Sequence, residues 1–342
     1  MDGGGYAVEV CDAAYAGRAA ACSIRGAGAR QTIRATLISQ GTMFVGGRMV
    51  IDAAGKVEAV GCYIPEPDDA VVLDCPGALV SAGLINLHEH IDYSYQQPAR
   101  PPVLKWQHRN EWRRLPAEVR GFEGDAPKDK QVQAEVAERA MLRHALSGTT
   151  ALSGAKDFNA FLRNLRLTDA PLATPFGAAV LDNTFPVNDA ASMAVLAQPC
   201  DAAQVAAVKF NPAQAFIPHV GEGTGDGARH EVDCVLDAIQ GKRTPSAFIH
   251  GVAISQAQVA RLKAQNVAVV LSPRSNLQLY GAAAPVAALK AGGVTLGLGT
   301  DWSPSGSLTL LDEARCLARH NRDSLGGLLS AADLHRMMTS EG

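Results

Sequence analysis

Leu84-Ile85-Asn86-Leu87-His88-Glu89-His90 reads as one short buried strand that ends by aiming two imidazoles at the same point. Side chains along a strand alternate with a period of two, so His88 and His90 fall on one face, close enough to share an ion. The pair are candidate metal ligands, although a His-x-His can equally be two hydrogen-bonded histidines in a strand. What lies on either side of the stretch decides between these readings.

Downstream of Pro76-Gly77 the texture is strand, loop, helix, repeated. Helices are expected over 129–146, where Val132, Val136, Ala140 and Ala145 recur at helical spacing and Gly148 supplies a stop, and over 231–239, 255–265, 284–290 and 309–320. Apolar strand-like runs lie at 149–152, 176–181, 216–219, 248–250, 267–271 and 294–298. Strands alternating with helices imply a parallel sheet buried on both faces, and so many repeats predict an α/β fold of TIM type, a closed (β/α)8 barrel over 81–342. One unit is poorly defined: between Leu181 and Phe216 only 205–210 reads as a strand, too close to the next for a helix between them. Upstream, 31–80 holds short β-rich runs broken by turn signals such as Asp52-Ala53-Ala54-Gly55, which predicts a small antiparallel N-terminal β domain. Residues 1–30, rich in glycine and alanine, are expected to form a loosely ordered leader.

Composition narrows the class. The chain has 342 residues, 47% of them hydrophobic, enough for a large core. With 31 basic against 34 acidic residues the formal charge is only -3, with no block of like charge. That points to a small-molecule substrate rather than to nucleic acid or an anionic membrane. No run approaches the roughly 18 apolar residues that a membrane helix needs, and residues 1–22 lack the pattern of a secretory signal. The seven cysteines are odd in number, scattered and free of Cys-x-x-Cys pairs, which argues against a disulfide framework and a zinc ribbon. Reduced thiols and a cytoplasmic location are therefore expected.

Catalytic groups in barrels of this kind sit at the C-terminal ends of strands. His88 and His90 end the first strand, His219 ends Phe216-Ile217-Pro218 with Glu222 three residues on, His250 ends Ala247-Phe248-Ile249, and Asp301 follows Gly297-Leu298-Gly299-Thr300. Scattered core histidines would seldom coincide with strand ends in this way. Imidazole and carboxylate suit a borderline divalent ion that keeps one position for water, whose pKa drops toward roughly 7 on binding. Displacing an amine from an sp2 carbon also needs a proton carrier, and Glu222 is placed for that work.

These residues, in the motifs Gly83-Leu-Ile-Asn-Leu-His-Glu-His90, Gly148-Thr-Thr150, His219-Val-Gly-Glu222, Ile249-His-Gly-Val252, Ser272-Pro-Arg-Ser-Asn-Leu277 and Gly299-Thr-Asp301, resemble the amidohydrolase superfamily. The branch is that of cytosine-deaminase-like, S-adenosylhomocysteine-deaminase-like and chlorohydrolase-like enzymes, and the resemblance covers about 32–339. It implies that His88, His90, His219 and Asp301 bind one metal, that Glu222 shuttles protons, and that His250 contacts the activated water or the substrate. His250 could also ligate a metal, but three histidines and one aspartate already leave room for water. A second metal would need a bridging carboxylate such as a carbamylated lysine. Lys156 and Lys209 follow no convincing strand, so a single divalent ion is expected, zinc first, with iron or manganese as the other choices.

The catalytic set is thus Glu222, His250 and Asp301. The expected reaction is hydrolytic deamination of a heterocyclic amine. The alternatives are hydrolysis of a cyclic or linear amide by the same site and, from another class, an inactive metal- or ligand-binding barrel. The glycine-rich 221–227 lacks a phosphate-loop ending and is expected to be a flexible loop over the metal. The long loop 93–122 carries Trp106, Trp112 and Arg113, and Trp302 adjoins Asp301, so Trp106, Arg113 and Trp302 are candidate substrate contacts, with Arg274 and Asn276 shaping the pocket. Proteins of the resembled branch continue past the last barrel helix with strands that complete the small β domain. Here that domain is expected to be incomplete at Gly342, which leaves a sheet edge for homo-oligomerisation.

Overall fold

The computed structural model describes residues 5–17, 20–100, 104–114, 127–168, 179–187, 198–242 and 244–342. Two compact units result, 1–82 with 329–333 and 83–328 with 334–342.

The smaller unit is one sheet of six strands: β1 (Ala7–Val10), β2 (Ser23–Arg25), β3 (Arg30–Ser39), β4 (Thr42–Ile51), β5 (Val57–Gly61) and β6 (Ala70–Val80). The order is β1-β4-β3-β6-β2, with β5 also on β4. Gln40 and Gly41 join β3 to β4, both at positive φ (48° and 80°), which suits a two-residue hairpin whose twist matches its strands. Ala35, Leu37 and Cys75 are buried at its core, with Phe44, Met49 and Leu73 against them. The expectation of a purely antiparallel unit is corrected, since β1–β4 and β3–β6 pair in parallel. The segment expected to be a loose leader supplies β1 and β2.

The cysteine expectation is also corrected. Cys11–Cys62 and Cys22–Cys75 bridge the smaller unit and Cys200–Cys234 the larger, leaving Cys316 free. The bridges span 51, 53 and 34 residues, so only folding brings the partners together and local spacing carries no sign of them. With six thiols paired, the argument from cysteine usage for the cytoplasm falls away. Among the described residues no helix is long and apolar enough to cross a membrane.

The larger unit is α/β. Strands β7 (Leu84–Asn86), β8 (Thr149–Leu152) and β9 (Arg163–Asn164) form one parallel sheet. Strands β10 (Leu181–Thr184), β11 (Phe216–Val220), β12 (Ser246–His250), β13 (Val267–Leu271) and β14 (Leu296–Leu298) form a second, also parallel. Backbone bonds run between their edges: Val180 N to Leu165 O (3.0 Å) on one side, Leu87 N to Leu298 O (3.3 Å) on the other. A parallel bridge pairs Glu89 with Asp301. Leu87, Ala151, Leu165, Val180, Ile217, Ile249 and Val270 make a single buried cluster drawn from both sheets.

The described helices are α1 (Arg109–Arg113), α2 (Lys130–Leu146), α3 (Ala202–Ala207), α4 (Asp226–Ile239), α5 (Gln256–Ala264), α6 (Pro273–Tyr280), α7 (Val286–Ala291), α8 (Leu310–Ser324) and α9 (Ala331–Met337). Asp129, Ser255 and Thr309 cap α2, α5 and α8 with side-chain oxygens that accept from first-turn amides, which fixes those starts where the sequence puts them. Three elements differ from expectation. The run read as a strand over 205–210 begins inside α3, where Asp201 and Gln204 make a reciprocal capping box that favours a helix. Ser272-Pro273-Arg274-Ser275-Asn276, which falls outside every expected helix, opens α6, with Pro273 in its first turn. The opening strand stops at Asn86, before the histidines. Of the strand expected at 176–181, residues 176–178 lie outside the described residues.

Candidate active site

Every group that the sequence assigns to catalysis or metal binding lies at or just beyond the C-terminal end of β7, β11, β12 or β14. His250 and Asp301 have φ of 72° and 60°, in the left-handed region. For residues with a Cβ this costs about 1–3 kcal/mol each and is sustained only by surrounding structure. The support at Asp301 is visible. Its amide donates to His88 O at 2.9 Å, and Thr300 Oγ1 donates to Glu89 Oε2. Asn86 Nδ2 donates to Thr300 Oγ1 at 2.7 Å and to Glu89 Oε2 at 3.3 Å, while His144 Nε2 lies 3.1 Å from that carboxylate. Burial alone would raise the Glu89 carboxyl, but His144 and Thr300 outweigh it and hold it below its ordinary value.

His88, His90 and Asp301 each bring one nitrogen or oxygen atom within 4.8 Å of the others. His88 Nε2 is 3.2 Å from both His90 Nε2 and His219 Nε2, and Asp301 Oδ1 is 3.4 Å from His88 Nε2 and 3.5 Å from His90 Nε2. Ser272 Oγ donates its one hydrogen to Gly299 O at 3.0 Å, so at 2.8 Å from His88 Nδ1 it accepts, which places the ring proton on Nδ1 and a lone pair on Nε2. Burial pushes His88 and His219 well below the ordinary imidazole value, and neighbouring histidines push them further, so both rings stay neutral. His219 Nδ1 is buried with no hydrogen-bond partner among the described residues. Neutral nitrogens crowded beside one carboxylate repel a proton and suit a cation, and the donor set fits a divalent ion of the zinc class. His250 is also close, since His88, His219 and His250 form a second such group. Its Nδ1 is engaged by Asn276 Oδ1 at 2.8 Å.

Glu222 is buried and tightly held. Tyr280 OH donates to Oε1 at 2.6 Å, His250 Nε2 is 3.7 Å from the same oxygen, and Arg109 Nε is 4.0 Å from Oε2. Arg109 is fully buried and pairs through both guanidinium nitrogens with Glu231, which also accepts from Gly221 N at 2.9 Å. Burial would raise Glu231, and Arg109 more than reverses it. The glycine-rich loop is therefore not a loose flap. Thr224 N and Gly225 N both donate to Gln107 O, and a Cβ at Gly223 would meet that oxygen, so the close approach requires glycine.

The groups open into a cavity of about 500 Å³, lined among others by His90, His219, Glu222, His250 and Asp301. Arg113 and Trp302 line it as expected, whereas the lining does not include Trp106, Arg274 or Asn276. Trp106 packs against the buried Trp112, Leu279 and Tyr280 cluster, Arg274 is exposed, and Asn276 works through His250. Of the expected lid, 101–103 and 115–122 lie outside the described residues. Sequence reasoning missed Phe185, stacked on His219 at 4.4 Å with the Arg113 guanidinium 4.2 Å from its ring. It also missed Asp182, which accepts from Ser153 Oγ and Gly154 N at 2.8 and 2.7 Å, and Tyr280. Phe185 and Asp182 belong to the poorly defined fourth unit, where no pattern marks the strand end; Tyr280 sat in a helix that was not recognised. Lys156 lines the cavity with φ of 50° and pairs with Asp92 at 2.6 Å. Lys209 is exposed.

No family model matches the chain. It is similar to the 5-methylthioadenosine/S-adenosylhomocysteine deaminases of Haloquadratum walsbyi and Halobacterium salinarum, 27% identical to each over 314 and 312 residues. The matches cover 79% of this chain and 67% and 68% of the relatives, about two thirds of their length. Among solved structures it is similar to an adenosine deaminase from Xanthomonas campestris with bound zinc, with TM-score 0.62 at 17% identity over 93% of this chain and 80% of that one. A Helicobacter pylori aminofutalosine deaminase gives 0.61 at 15% identity over 89% and 84% of the two chains. A guanine deaminase from C. acetobutylicum gives 0.57 at 13% over 91% and 85%.

Proposed function

We propose that the chain belongs to the deaminase-like branch of the amidohydrolase superfamily and is a metal-dependent aminohydrolase that removes an amino group from a small heterocycle, a reading supported by its similarity to named deaminases. The observation that carries the reading is the crowding of His90, His219 and Asp301 around His88 Nε2, beside a cavity that Glu222 and His250 also face. The larger unit is read as a (β/α)8 barrel, with β7 following β14 around the ring, and the smaller as its β appendage. Those four residues would hold the ion, zinc first. When bound, it supplies Lewis acidity and lowers the pKa of a ligating water toward about 7.

The chain's own residues do the rest. Asp301, whose carboxyl burial raises above its ordinary value, is a base poised to take a proton from the attacking water. Glu222 takes the first proton of the attacking water and passes it to the ring nitrogen, and the second proton of that water goes through Asp301 to the departing amine, which leaves as ammonia. His250, its Nδ1 fixed by Asn276, turns Nε2 toward the attacked carbon and polarises it. Elemental analysis of protein purified without added metal should give about one divalent ion per chain, as the four-residue set requires. Ammonia release should then be found within a panel of purines, purine nucleosides, pyrimidines and pterins. Metal-free but folded protein, or loaded protein that hydrolyses only cyclic amides, would overturn the assignment.

A further inference from the structure

Helix α6 does more than close the fold. Ser272, Asn276 and Tyr280 are spaced one turn apart, so they lie along one side of the helix. Each meets a different group of the site: Ser272 Oγ holds His88 Nδ1, Asn276 Oδ1 holds His250 Nδ1, and Tyr280 OH holds Glu222 Oε1. Gly281, at φ of 69°, caps the helix immediately after Tyr280 and returns its amide to Leu277 O, which fixes the last turn.

The direction of the Tyr280 bond follows from its other partner. Trp112 Nε1–H can only donate, and it donates to Tyr280 OH at 3.0 Å. The phenol therefore spends its single hydrogen on Glu222 Oε1, at 2.6 Å. All three side chains are buried, where a bond to a charged acceptor is short, strong and directional. One carboxylate oxygen is thereby occupied and aimed, and Oε2 is left to carry the proton.

We propose that Tyr280, oriented by Trp112, is a positioning residue that locks the Glu222 carboxylate at its working distance from His250. The proposal rests on the reading of Glu222 as the proton carrier. Tyr280 does not itself line the cavity; it touches the lining residues Glu222 and Trp112, and its effect on the proton carrier passes through Glu222.

The test uses the full chain carrying one equivalent of zinc, with ammonia release from the panel compound turned over fastest. Tyr280→Phe, which removes one oxygen, is expected to lower kcat about 10- to 100-fold with KM within about twofold and metal content unchanged. Trp112→Phe should lower kcat less. An unchanged kcat, or a loss carried by KM, would make Tyr280 a packing residue and overturn the proposal. Glu222→Gln is run alongside. If it keeps full turnover, the role of Glu222 itself is wrong; if it is inactive while Tyr280→Phe is normal, only the positioning role fails. A readout without substrate is the thermal midpoint of Tyr280→Phe, Glu222→Leu and the double variant. Non-additive shifts support the coupling, and additive shifts overturn it.

Discussion

The two ends of the strands in the larger unit carry opposite chemistry. At or just beyond their carboxyl ends lie His88, His90, His219, Glu222, His250 and Asp301, almost all buried and each fixed by named partners. At the amino ends a largely apolar cavity of about 380 Å³ is lined by branched residues such as Ile85, Leu165 and Ile217 together with small ones such as Ala215, Ala247 and Gly297. One end is ordered by hydrogen bonds that each need a specific atom, the other by contacts that any apolar group can supply, so substitutions should be felt very unequally.

The largest effect is expected at the first end. His219→Ala should take metal from about one equivalent per chain to near zero, read by elemental analysis, and abolish turnover with it. Retention of metal would break the contrast. Next comes Arg109→Met, which leaves Glu231 buried and unpaired and should cost about 3–5 kcal/mol in denaturant unfolding. A loss below 1 kcal/mol would mean that water reaches the pair.

Glu313 gives a subtler effect. Burial outweighs its bond from Arg274 N and raises its carboxyl to about 8 from 4.5. Between those values the folded protein holds a proton that the unfolded chain releases, so Glu313 makes stability fall as pH rises from 4.5 toward 8. Glu313→Gln should therefore stabilise the protein at pH 8 and above, with the gain vanishing below 4.5, in unfolding curves across that range. A gain that does not depend on pH would contradict this. The smallest effect belongs to the other end: Ala247→Val, reaching into the apolar cavity, should leave kcat and KM within about twofold and shift stability by about 1 kcal/mol or less.

The same contrast governs what could be read in advance. The histidines and Asp301 were legible because each ends an apolar run and their chemistry is shared by few residue types. Helices α2, α5 and α8 were legible because a polar cap precedes a periodic stretch. Helix α6 was not, since Ser-Pro-Arg-Ser-Asn carries turn residues and its start shows only as Pro273. The fourth strand was missed because three of the four residues of Leu181-Asp182-Asn183-Thr184 are polar and the run has no apolar period. The disulfides were invisible for a third reason, being products of the tertiary fold rather than of local spacing.

The contact of Glu89 with Thr300 and the bridge to Asp301 fix when the site can exist. They join residues 211 and 212 positions apart in the chain, so His88 and His90 leave the ribosome long before Asp301. At 5–20 residues per second that interval is roughly 10–40 s. On the proposed reading, no nascent fragment ending before Asp301 owns the full donor set, so metal acquisition would wait on the segment that follows β14.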